Sequence, residues 1–392
     1  MKIYNVCIKT MDNGRTIPKG WVEIKDKKIT AVREGNPGAV EMGDIDGKGG
    51  QLIPGFIDAH THLGIIENGI DFEGDDCNEA TDPFTPQLRA SDAVNPMDRC
   101  FEEARKRGIT SVVIAPGSAN PCGGEITAVK TWGRRIDDMI IGTVGIKFAL
   151  GENPKRVYND RDETPVTRMA TAAVIREGLF KAQKYLKDME AYEADRENYD
   201  MPEFDMKCQS LLPLLRGEIS AHFHCHRADD MFTALRIAKE FSLKTVLVHG
   251  TEGHLIADIL KNENVSVIAG PVLCDRCKPE MNRLELKNPG IMSGEGIRTC
   301  ICTDHPETPV QYLPLSALAA IKGGMKYDSA LEAITSNAAD AAGIGDKTGR
   351  IKEGLDADIQ LYHGDPLDFM EEPALVLING INVLEKNQNE IF

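Results

Sequence analysis

One repeated alternation constrains the fold most. Eight short runs rich in β-branched residues recur between segments of helical spacing: "PGFIDAHTH", "ITSVVIAP", "EITAVK", "GTVGIKFAL", "EISAHFHC", "KTVLVHG", "VSVIAGP" and "IRTCICTD". Apolar runs of this length, bounded by turn residues, read as buried strands. Strands separated by helices read as β/α units. Units of this kind over about 300 residues predict an α/β chain built as a (β/α)8 TIM-like barrel. A doubly wound open sheet is the alternative.

Helix signals fill the gaps. "PMDRCFEEARKRG" reads as a helix closed by Gly108. "ETPVTRMATAAVIREG" opens a long helix, with Thr164 as N-cap and Pro165 at the first helical position. The charged "KYLKDMEAYEADRENYD" continues it as a solvated helix and loop insertion. Asp229 and Asp230 are expected to cap the helix after the fifth strand. Ser293 to Gly296, "SGEG", reads as a loop without a role.

Both ends of the chain look all-β. "KIYNVCIKT" and "WVEIKDKKITAV" run apolar or alternate, and near the C-terminus "ADIQLYH" and "LVLINGINVLE" do the same. Asn379-Gly380 fits a type I′ hairpin turn. The expected organisation is a composite β-sandwich module from residues 1–52 and 350–392, around a catalytic barrel from 53–349.

The formal net charge of −16 argues against a nucleic-acid or anionic-membrane partner but does not identify the substrate, which is expected to be a small molecule. No run approaches the ~18 apolar residues of a spanning helix. The N-terminus shows no apolar leader segment. The ten cysteines are therefore expected as free thiols in a reducing cytoplasm. Cys274 and Cys277 form a CxxC with no second pair to complete a structural zinc site, although Cys300 and Cys302 lie downstream.

A barrel places chemistry at the C-terminal ends of its strands. The first strand ends in His60 and His62, the fourth carries Lys147, the fifth carries His222, His224 and His226, the sixth ends in His249 and the eighth in Asp304. Imidazoles and a carboxylate converging on one mouth suit Zn²⁺ and other first-row divalent cations. Lysine buried among them loses its proton readily, and the neutral amine can take up CO₂ to become a carbamate. The bland reading pairs Lys147 with Glu125 or Glu152, and Lys130 is the rival lysine.

These residues sit in "LIPGFIDAHTHLG", "GIKFALGENPKR", "AHFHCHRADDM", "VLVHGTEGH", "CTDHPE" and "SNAADAAGIGDKTGRIKEGLDADIQLY". Over nearly its whole length the chain resembles the amidohydrolase superfamily, in the branch of imidazolonepropionase-like and metal-dependent prolidase-like enzymes. The resemblance implies metal ligands at His60, His62, Lys147, His224, His249 and Asp304, with Lys147 carboxylated and bridging two ions. It implies hydrolysis of amide, peptide-like or cyclic-amide C–N bonds by a metal-bridged hydroxide. Asp304 is expected to act as general acid/base, with His249 as a second catalytic group. The metal expected is Zn²⁺, two ions per chain if Lys147 is carboxylated and one otherwise. The alternative is a one-metal cyclic amidohydrolase or deaminase on His60, His62, His224 and Asp304. A homodimer is the oligomer implied. His226, Arg227 and Arg156 are substrate-binding candidates, with Lys155 beside them, because an arginine at the mouth can clasp a carboxylate. His222 is expected to be a satisfied inner-face histidine. A scaffold that has lost catalysis is the rival from another class, and it is opposed by all six ligand positions being filled.

Overall fold

The computed structural model describes residues 1–384. Glu385 of the expected hairpin, and 385–392 of the expected module, lie outside the described residues. Eight barrel strands run β6 (Phe56–Thr61), β7 (Ile109–Ile114), β8 (Cys122–Lys130), β9 (Ile140–Ala149), β10 (Ser220–Cys225), β11 (Thr245–His249), β12 (Ser266–Ala269) and β13 (Arg298–Ile301). They hydrogen-bond in chain order from β6 to β13. The open-sheet alternative is thereby set aside.

One expectation fails. β8 runs antiparallel to both β7 and β9. A parallel neighbour needs a crossover of a dozen or more residues, whereas only residues 115–121 separate β7 from β8. The chain can only turn back. The other barrel pairings are parallel.

The barrel closes where its first and last strands end. The Asp304 N–H donates to the His60 carbonyl (3.2 Å) and the His62 N–H to the His305 carbonyl (2.9 Å). The buried Asp58 carboxylate accepts the Thr303 N–H at 3.2 Å on each oxygen, and the Thr303 hydroxyl as well. The strands that carry the first and last candidate ligands are thus fixed side by side.

A second sheet joins the two ends of the chain. Its strands are β1 (Lys2–Lys9), β2 (Thr16–Lys25), β3 (Lys28–Glu34), β4 (Ile45–Asp46), β5 (Gln51–Pro54), β14 (Ile359–Tyr362), β15 (Leu375–Ile378) and β16 (Ile381–Asn382). They connect as one hydrogen-bonded sheet, with β14 pairing β5. Ile3, Val22, Leu52, Ile359 and Leu377 belong to its core. Asn379 and Gly380, at φ 51° and 75°, make the expected turn, and Ile378 pairs Ile381 across it.

Three local expectations shift. The helix Arg168–Ala194 begins after Thr167, whose hydroxyl accepts the Ala170 N–H at 3.1 Å; Thr164 and Pro165 precede it. Thr167 wins because its side chain reaches an N–H that has no intrahelical partner. Arg227, not an aspartate, takes the N-cap position of the helix Ala228–Phe241, while Asp229 and Asp230 occupy its first turn. Ser293 and Gly294 close the helix Lys287–Gly294 rather than lying in a loop. Among the described residues no helix is long and apolar enough to cross a membrane.

Asp58→Ala leaves the Thr303 N–H and hydroxyl without their buried acceptor. It should lower the stability of the folded protein by about 1–3 kcal/mol, read as a reduced midpoint in urea denaturation.

Candidate metal centre

Alternation on β10 puts His222 and His224 on the inner face, and His226 follows just beyond the strand. Ladder pairing sets His222 beside Lys147 of β9 and beside Val246 of β11, and His224 beside Val248. Gly145 makes room for the His222 ring: a Cβ there would stand 2.7 Å from His222 Cδ2. His249 is paired with Cys225, so strict alternation would turn it outwards. Its backbone is left-handed instead, at φ 75°, and the ring lies 4.5 Å from the rings of both His224 and His226. Asp304 is also left-handed, at φ 54°. Such conformations cost roughly 1–3 kcal/mol each and cluster at functional sites.

Two groups of ligand atoms result. His60, His62 and Asp304 form one; His224, His226 and His249 form the other. Within each group the atoms lie within 4.8 Å of one another. Asp304 Oδ1 stands 3.5 Å from His60 Nε2 and 3.4 Å from His62 Nε2. The His60 and His249 ring centres are 5.6 Å apart, which joins the groups into one mouth. Lys147 Nζ is 3.1 Å from His60 Nε2.

Carbonyl groups set two tautomers. His62 Nδ1 donates to the Ala115 carbonyl and His249 Nδ1 to the Gly270 carbonyl, both at 2.7 Å. In the neutral ring each Nε2 then holds the lone pair that a metal ligand requires. His226 Nδ1 is engaged by the Thr251 hydroxyl at 2.7 Å. Burial holds His60, His224 and His226 well below the usual imidazole range and His249 near about 4, so all four are neutral. At His62 burial acts the same way, but Cys77 and Asp304 outweigh it and raise the ring to about 10. A cation there would displace that proton.

Buried polar atoms normally have partners. Here His60 Nδ1, both nitrogens of His224, His226 Nε2 and Asp304 Oδ1 have none. A donor set of imidazoles and a carboxylate, buried and unpartnered, fits a divalent cation.

The remaining sequence candidates fall as follows. Glu125 faces Arg89 at 3.7 Å, and Glu152 engages Glu280, so neither acid pairs with Lys147. Burial draws the Lys147 ammonium down to about 8. Lys130 ends a strand of reversed direction and meets Asp358, and Asp356 at 3.0 Å, at the opposite end of the barrel. His222 is on the inner face as expected but is not satisfied: neither ring nitrogen has a partner. Arg227 spends its guanidinium on Asp229, through two bonds of 3.0 Å. Arg156 is exposed on the helix Glu152–Asn159. No hydrogen bond or ion pair among the described residues links either arginine to the cluster.

Sequence reasoning missed Glu280 and Lys278, in the segment after β12. Glu280 Oε1 lies 3.6 Å from His224 Nε2 and 3.7 Å from His226 Nε2, and Lys278 Nζ lies 3.2 Å from the same oxygen. "CDRCKPEMN" carried no spacing signal for either residue.

A barrel with imidazoles and carboxylates gathered at one mouth defines a metal-dependent enzyme. Residues 51–389 match the profile of the Amidohydrolase family. The chain belongs to the amidohydrolase family, whose members act on carbon–nitrogen bonds and generally bind a divalent metal. An amidohydrolase crystal structure from Thermotoga maritima superposes with a TM-score of 0.92 at 37% identity, covering 97% of this chain and 99% of that one. Amidohydrolase tasK of Hapsidospora irregularis is 30% identical over 391 residues, 93% of this chain; the chain spans 39% of that relative's length. An imidazolonepropionase of Acidiphilium cryptum is 26% identical over 384 residues, 89% of this chain and 88% of the relative.

Lys130→Met removes the ammonium that faces the buried Asp358, while Asp356 keeps Lys28 at 2.7 Å; it should cost about 3–5 kcal/mol in urea denaturation. The folded fraction should keep its full metal content by elemental analysis, because Lys130 is remote from the mouth.

Proposed function

We propose that this protein is a metal-dependent hydrolase of amide, peptide-like or cyclic-amide C–N bonds, with two divalent cations per chain, Zn²⁺ foremost. The observation that carries the reading is the pair of unpartnered ligand groups at one mouth. His60, His62 and Asp304 would hold one cation. His224 and His249 would hold the other, with carboxylated Lys147 between them. Bound there, the cations supply Lewis acidity, which polarises a carbonyl and lowers the pKa of water towards neutrality.

The chain's own residues do the rest. Asp304, kept ionised by His249 and His62 against the cost of burial, takes the proton of the attacking water as the new C–O bond forms. It delivers that proton to the leaving nitrogen as the C–N bond breaks. Its left-handed backbone fixes the carboxylate beside His60 and His62. His249, anchored on Gly270, orients the reacting groups from the facing strand. His226 lies close enough to contact substrate. The reading includes the division into a composite sheet unit (1–52 with 350–392), folded as a sandwich about its own core, and a catalytic barrel (53–349). It also includes a cytoplasmic setting, which the ten unpaired cysteines favour, and a homodimer.

A one-cation reading, as for a cyclic amidohydrolase or deaminase, draws on the compact His60, His62 and Asp304 group. Its fourth ligand, His224, groups instead with His226 and His249, whose ligand atoms lie within 4.8 Å of its own, and this favours two cations.

Two outcomes test the proposal. Asp304→Asn should lower kcat on a responsive amide substrate by about 10²–10⁴-fold while the protein retains cation; turnover at the wild-type rate would refute the proton role. Carbamate at Lys147 forms only from the neutral amine, whose fraction rises as pH passes about 8. At constant CO₂ pressure, the ¹³C carbamate signal of the metal-free protein should therefore grow about tenfold between pH 7 and 9. Lys147→Met should remove that increment.

A further inference from the structure

Glu280 is almost fully buried, at 3% exposure, yet one of its two oxygens makes no hydrogen bond and has only the Lys278 ammonium beside it, at 3.2 Å. The other oxygen is anchored. Glu280 Oε2 accepts the Glu152 N–H at 2.9 Å, and the Glu280 N–H is returned to Glu152 Oε2 at 3.4 Å. This reciprocal pair ties the segment after β12 to the helix after β9. It leaves Oε1 aimed at His224 Nε2 and His226 Nε2, 3.6 and 3.7 Å away. Neither contact is a hydrogen bond, and both imidazole atoms are themselves unpartnered.

Those separations have a natural explanation. Ligand atoms around a tetrahedral cation with bonds near 2.1 Å stand about 3.4 Å apart. The Gly270 carbonyl takes the His249 Nδ1 proton, which leaves a lone pair on its Nε2, and Thr251 engages His226 Nδ1, which leaves Nε2 as the open nitrogen of that ring. His224, His226 and His249 already lie within 4.8 Å of one another.

We propose that His226 and Glu280 are ligands of the second cation, completing with His224 and His249 a three-histidine, one-carboxylate site at the mouth of the barrel. The inference rests on the two-cation reading above and changes the ligand set: Lys147 is no longer required to hold that ion. The strand histidines supply two donors. The rim supplies the other two, one of them from a segment whose seating depends on Glu152.

Lys278 is the competitor. Its ammonium lies 3.2 Å from Glu280 Oε1 and 3.3 Å from Asn153 Oδ1. If Glu280 existed only to seat Lys278, removing either partner would have the same effect. If Glu280 is a ligand, removing Lys278 leaves the cation in place.

The test measures cations per chain by elemental mass spectrometry, with free Zn²⁺ buffered by a chelator, on the full-length protein and on Glu280→Gln, His226→Gln and Lys278→Met. Wild type should hold two ions. Glu280→Gln and His226→Gln should each hold one under the same buffer, with affinity for the second ion at least tenfold weaker. The ion retained on His60, His62 and Asp304 would show that each variant has folded, and anomalous diffraction would locate it. Lys278→Met should keep both ions. Wild-type affinity for two ions in both Glu280→Gln and His226→Gln would overturn the proposal, as would loss of an ion from Lys278→Met equal to that from Glu280→Gln. A wild-type protein that never holds more than one ion would overturn the two-cation reading beneath it, a result distinct from either.

Discussion

Everything at the mouth follows from burying polar groups that the protein itself does not satisfy. His60, His224, His226, Glu280 and Asp304 each present at least one buried atom without a hydrogen-bond partner. A buried donor or acceptor left unmade costs on the order of 1–3 kcal/mol. Several in one small volume would be a serious loss for a fold of ordinary marginal stability. They are tolerable together only if one ligand answers many of them at once, and a divalent cation does that. Features that look separate then share a purpose. The Asp58 bond to Thr303 brings β6 and β13 together, and left-handed backbone at His249 and Asp304 turns both side chains inward.

The two buried lysines show how strand direction decides chemistry. Lys130 and Lys147 lie on neighbouring strands, β8 and β9, that run in opposite directions. Reversal sends Lys130 to Asp356 and Asp358, where its charge is neutralised. It becomes a structural tie between barrel and sheet. Lys147 points into the mouth, with an imidazole nitrogen as its neighbour at 3.1 Å rather than a carboxylate partner. Burial then acts against its proton without full compensation. Identical side chains thus acquire opposite roles because one connection is too short for a crossover.

How much of this was legible in the sequence depends on range. Strands were legible because their signal is local: runs such as "SAHFHC" and "TVLVH" are where the pattern put them. The candidate ligands followed, because strand ends in a barrel converge wherever they lie in the chain. The direction of β8 was hidden, since a loop's length reveals a reversal only once its strands are correctly bounded. Asp229 was mistaken for a cap because its true partner, Arg227, lies two residues away and competes for it. Glu280 was invisible for another reason. It is one of 61 acidic residues, and only three-dimensional placement separates it from those on the surface.

Charge explains why each ligand group has a lysine beside it. Without cations, Lys147 stands by His60 and Lys278 stands by Glu280. The two ammonium groups occupy the two places where positive charge is wanted. Both have somewhere to go. Lys278 is partly exposed and has Asn153 as a second partner, so it can withdraw towards solvent as a cation arrives. Lys147 is enclosed and cannot withdraw. Loss of its proton is the exit that burial favours, and on the proposed reading the neutral amine then takes up CO₂, so that a repulsive neighbour becomes an attractive one. On this argument the enclosed lysine is the one that must give up its charge where it stands, and the rim lysine is the one that only has to move.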